Sequence, residues 1–188
     1  MLAESVILSI FVGIFRGKKF RSLENVQIDK FWLILLSFSI EFICGLLIKK
    51  DIRPFSQFIT ENYLFIHTVV YALLFICFAF NLNNKALKIV LIGILLNFIV
   101  IVTNSGFMPV STDMALSSGF NESIQLLADG KIAGHEVLVR GETKFWILAD
   151  IINIPPPYPF PQTISIGDIF IAIGTFLFIQ LGMKKNYV

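Results

Sequence analysis

Charge is scarce in this chain. Of its 188 residues only 15% are charged and 56% are hydrophobic, whereas a soluble globular domain carries about 25% charged residues. The shortfall excludes an ordinary soluble domain and points to a polytopic membrane protein. Cysteine is almost missing: Cys44 and Cys77 are the two copies. Both lie inside apolar runs rather than in loops, where an exported disulfide would sit. Histidine is equally rare. His67 and His135 stand far apart, no CxxC or HExxH pattern occurs, and no glycine-rich loop could cradle a phosphate, so the sequence points to no metal and no cofactor. Nucleic acid is not an expected partner, because lysine and arginine sit at segment ends, where membrane topology accounts for them. There is no internal repeat, and no low-complexity tract apart from a proline run.

What the chain has in excess is apolar length, with 20 phenylalanines. Five stretches stand out: Leu2–Phe15, Phe31–Ile48, Tyr63–Phe80, Lys88–Thr103 and Asp168–Met183. A span needs roughly 20 residues, with about 17 as the lower limit, so the shorter ones must extend into their flanks or sit in thinned bilayer. The expected fold class is an all-α integral membrane protein of about five transmembrane helices. Residues 1–103 would form a four-helix region, 104–167 a structured extracytoplasmic loop region, and 168–188 the final helix and a cytoplasmic tail.

Orientation follows from the loop charges. Glu4 precedes the first apolar run, and Arg16, Lys18, Lys19 and Arg21 follow it, the reverse of a cleavable signal peptide. With the N-terminus outside, nine lysines and arginines fall on the cytoplasmic side, against three in the short outer loop (Lys49, Lys50 and Arg53). The expected arrangement is a multi-pass cell-membrane protein, N-terminus out and C-terminus in, with the lipid bilayer as its first partner. The long connection then lies outside. Its SIQLLA, HEVLV and FWILADIINI segments are too apolar for disorder, and they predict short helices and strands on the outer face, with Trp146, Tyr158 and Phe160 at headgroup depth.

A few polar residues interrupt the spans. Glu41 sits mid-span, where a carboxylate costs about 2.5–3.5 kcal/mol unless protonated or partnered. It reads either as a proton or substrate site or as a neutral acid bonded to a neighbouring helix. Asn97 and Asn104, seven residues apart, share a face with Gly93 and suit interhelical hydrogen bonding. His67 reads as a proton carrier or as a donor to a backbone carbonyl.

Several stretches carry a resemblance. Phe15-Arg16-Gly17, the run Asn104-Ser105-Gly106-Phe107-Met108-Pro109-Val110-Ser111, the run from Gly141 to Asp150, and Ile164-Ser165-Ile166-Gly167-Asp168 together resemble a bacterial membrane-protein family of unknown function. A second, local resemblance joins Leu148-Ala149-Asp150-Ile151-Ile152 to Ser165-Ile166-Gly167-Asp168-Ile169, which is similar to the C-terminal part of lipoprotein signal peptidase. That family has two aspartates in such contexts, forming a dyad at the outer membrane edge. Here Ser165 and Gly167 stand where that family has asparagine and alanine, and its Gly-Asn-x-x-Asp-Arg segment has no counterpart before Asp150. The resemblance implies Asp150 and Asp168 as catalytic residues, eighteen positions apart. Asn104, Gly106 and Trp146 are the expected substrate contacts.

Two carboxylates a few ångströms apart cannot both ionise freely, so they share a proton and can act as acid and base. A local reading stands beside this one. Ser165-Ile166-Gly167-Asp168 is a capping-box pattern in which Asp168 serves the helix start, and Asp150 would pair with Arg140 or Lys144. Two function classes follow: an aspartate-dependent hydrolase acting on a membrane-anchored peptide or lipid at the outer face, or a non-catalytic small transporter or accessory protein whose outer loop binds a partner.

Overall fold

A helix rises 1.5 Å per residue, so eighteen or nineteen apolar residues make a rod of about 27–29 Å, close to the hydrocarbon thickness of a bilayer. The structure, a computed structural model, describes residues 1–112 and 121–185. Its helices are α1 (Leu2–Phe15), α2 (Trp32–Lys49), α3 (Phe55–Glu61), α4 (Tyr63–Phe80), α5 (Lys85–Thr103), α6 (Asn121–Ala128) and α7 (Ile166–Gly182). All five expected apolar stretches are helical at nearly the expected bounds. Three of them, α2, α4 and α5, are long and apolar enough to cross a membrane, while α1 and α7 are apolar but shorter, at 14 and 17 residues. The short helix α3 was not foreseen. It lies in what reads as a polar loop, because seven residues are too few for a periodic signal.

Helices α1 and α7 run side by side in the same direction. At their starts the Gln162 side chain accepts from the Met1 amine at 3.0 Å and donates to Glu4 at 2.9 Å. Midway, Ser9 Oγ donates to the Phe176 carbonyl. At their ends, β1 (Lys18–Lys19) pairs antiparallel with β6 (Lys184–Lys185). Asn81, after α4, bonds the backbone of Asp29, ahead of α2, and Gly182 lies against Leu23 and Val26. The segments that carry the lysine- and arginine-rich loops are therefore gathered at one end of the bundle.

Helices α5 and α7 pack backbone against backbone. A methyl at Gly93 would meet the Gly167 carbonyl and Ile171, and one at Gly174 would meet Val90. Small residues let two backbones come this near.

The other end carries the described residues of the 104–167 region, which include α6 and several three-residue strands. Strand β2 (Met108–Val110) pairs parallel with β3 (His135–Val137), and β4 (Ile152–Ile154) pairs antiparallel with β5 (Gln162–Ile164). The proline run is thus the loop of a hairpin. Since Ile152 faces Ile164, the chain that leaves at Asp150 returns to the head of α7.

Candidate functional site

Asp168 is set by its own sequence. Ser165 Oγ accepts from Asp168 N at 3.0 Å and Asp168 Oδ2 accepts from Ser165 N at 3.1 Å, the reciprocal capping box that the residue order predicts. A second element then locks it. Asn97 on α5 donates through Nδ2 to Asp168 Oδ1 at 3.0 Å and accepts from Ser165 Oγ at 2.8 Å. Gly167 sits flat against Asn97, with no room for a side chain.

Asp150 is set by tertiary structure. Its N–H donates to the Pro109 carbonyl at 3.0 Å and its carbonyl accepts from Ser111 N at 2.9 Å, which stitches it beside β2. The side chain is only 9% exposed, and the basic group beside it is His135 Nε2 at 3.8 Å rather than Arg140 or Lys144. Its other oxygen, Oδ1, is buried with no hydrogen-bond partner among the described residues. Burial, and then the nearby Asp168 carboxylate, push the Asp150 carboxyl up to about 8.

Glu41 and His67 complete the group. A carbonyl oxygen only accepts, so the His67 Nδ1 contact with Gly106 O makes Nδ1 the donor. Nε2 then faces Glu41 Oε1 at 3.1 Å, with no hydrogen bond between them. Gly106 allows this geometry: its φ of +95° is open to glycine, and a Cβ there would strike the Leu64 backbone. The neighbouring helix expected beside Glu41 is α4, which presents His67 to it.

These side chains surround one cavity of about 260 Å³ where α2, α4, α5 and α7 meet β2 and β3. Its walls include Glu41, His67, Asn97, His135, Asp150 and Asp168. Of the residues expected to touch substrate, none lines it. Asn104 clamps the Lys144 backbone through bonds of 2.9 Å in both directions, Gly106 acts by holding His67, and Trp146, 54% exposed, edges a separate groove with Arg140. His135 also lines the cavity, although nothing in residue order marks it. A lone histidine gives no signal until β2–β3 pairing sets it beside Asp150. Among the described residues, no group of three or more His, Cys, Asp or Glu side chains is placed to hold a metal ion.

A relative from Thermotoga maritima, described as an uncharacterized protein, is 26% identical over 181 residues, which cover 96% of this chain and 91% of its own. No solved structure matches the chain. A model for a family of unknown function, DUF5317, matches residues 25–180, and the chain belongs to that family.

Proposed function

We propose that the protein is a membrane-embedded, aspartate-dependent hydrolase that acts on a membrane-anchored peptide or lipid at the outer face. The observation that carries this reading is that Asp150 and Asp168, from a loop and from a helix head, line one cavity together. With its proton held up to about 8, Asp150 is the acid that donates a hydrogen bond to the scissile carbonyl. Asp168 is the base. It takes a proton from water as the water oxygen attacks the carbonyl carbon, then returns that proton to the leaving group as the tetrahedral intermediate collapses. Asn97 and Ser165 N, already donating to Asp168, hold its oxygens in place. The local likeness to lipoprotein signal peptidase supports the same assignment.

The reading includes five spans, with α1 and α7 crossing a locally thinned bilayer, the N-terminus outside and the C-terminus in the cytoplasm. The parallel course of α1 and α7 and the gathering of basic loops at one end support it.

A second reading, a non-catalytic transporter or accessory protein, is favoured by one feature: both Asp168 oxygens already accept structural bonds. One experiment separates the two. Membranes from cells lacking the gene are incubated with purified wild-type protein, and peptides and lipids are compared by mass spectrometry. The hydrolase reading expects new cleavage products that vanish with Asp150→Asn and with Asp168→Asn. Products that persist in the double variant, or none with any form, leave the non-catalytic reading.

A further inference from the structure

The Asp150 side chain is nine-tenths buried, it lines the cavity, and its Oδ1 lacks any donor among the described residues. A buried acceptor without a donor is costly, and native structures satisfy nearly all of them. Glu41 Oε1, on the same wall, also has no hydrogen-bond partner among the described residues, with His67 Nε2 3.1 Å away. The walls therefore hold three carboxyl groups, on Glu41, Asp150 and Asp168, and no lysine or arginine. Around them stand Val70, Tyr71, Leu74, Ile101 and Met108, an apolar lining with aromatic character. Phe38 is also a wall, and at 55% exposure it puts the cavity's edge at the outer surface of the helices.

We propose that this cavity is a binding site for a primary ammonium group on a small apolar body, with Asp150 Oδ1 as its main acceptor and Glu41 as its second. The ammonium supplies the N–H donors that the two buried oxygens lack. The apolar body rests on Val70, Leu74 and Met108 and enters past Phe38. Binding does not require turnover, so the site stands whether the cavity catalyses or only recognises. Such a group has two sources, the amine headgroup of a phospholipid and a free amine.

The groups that face this space are Glu41 from α2, His67 and Tyr71 from α4, His135 from β3, Asp150 from the loop and Asp168 from α7, while α5 contributes the neutral Asn97. Asp150 keeps its proton up to about pH 8. An ammonium needs it ionised, so cation and proton compete, and the cation binds more tightly as the pH rises.

The test uses the protein in phosphatidylcholine nanodiscs, titrated by calorimetry with n-butylammonium and, as the neutral comparator, n-butanol. Between pH 6 and pH 7 the butylammonium Kd should fall about tenfold, as one proton is displaced, while n-butanol binds at least tenfold more weakly at pH 7. Asp150→Asn should weaken butylammonium at least tenfold. A wild-type Kd that ignores pH, or equal binding of the alcohol, overturns the proposal, and neither measurement depends on the variant folding. Adding phosphatidylethanolamine to the nanodiscs separates the sources. A weakened butylammonium affinity assigns the site to the lipid headgroup, and an unchanged one to a free amine.

Discussion

Asn97 Nδ2 donates to Asp168 Oδ1 at 3.0 Å, which ties the first turn of α7 to the C-terminal half of α5. The same amide takes the Ser165 hydroxyl through its oxygen, so one buried residue satisfies both members of a helix cap. Asn97→Ala is expected to lower stability by about 1–3 kcal/mol, because it strips a donor from a carboxylate and an acceptor from a buried hydroxyl. Unfolding in detergent measures it. An unchanged midpoint would show that the cap stands without α5.

A pH dependence follows from Asp150. Its folded-state pKa, about 8, lies above the unfolded value of about 3.9. Below about pH 4 both states hold the proton and there is no penalty. As pH rises toward 8 the unfolded chain releases its proton while the folded one keeps it, so stability falls across that window. Asp150→Asn removes the dependence. Its melting temperature should rise relative to wild type from pH 5 to pH 8. Parallel curves for the two proteins would contradict the burial assigned to this carboxyl.

The α5–α7 seam gives a steric test. At Gly167 a methyl would collide with the Asn97 side chain and the Gly93 carbonyl, whereas at Gly45 it would meet only Ala133 at 3.8 Å. Gly167→Ala should cost about 1–3 kcal/mol, in the range of overpacked interiors, and Gly45→Ala should be close to neutral. Equal effects in the same unfolding assay would mean the two helices sit farther apart.

Orientation is measurable by thiol labelling. Glu142 and Arg21 are exposed at opposite ends of the bundle, and both native cysteines are buried. Glu142→Cys should react with a membrane-impermeant reagent in intact cells, and Arg21→Cys only after lysis. The reverse pattern would invert the topology.

The positions of the apolar helices were legible from residue order alone, because bilayer thickness sets their length and water-free surroundings force helical backbone bonding. The Ser165–Asp168 cap was legible for a similar reason, since its partners are three residues apart and their bonds need nothing from elsewhere. Which helix meets which was not. In lipid the outward face of a helix is as apolar as the inward one, so Phe42 and Phe65, both exposed, look no different in sequence from core residues, and periodicity names no packing face. That is why Glu41 met His67 from another helix, and why Asn97 met Asp168. Asp150 reached the cavity only through β2 and the β4–β5 hairpin. Pairing of such short strands is decided by the rest of the fold, because three residues bury too little surface to pair by themselves.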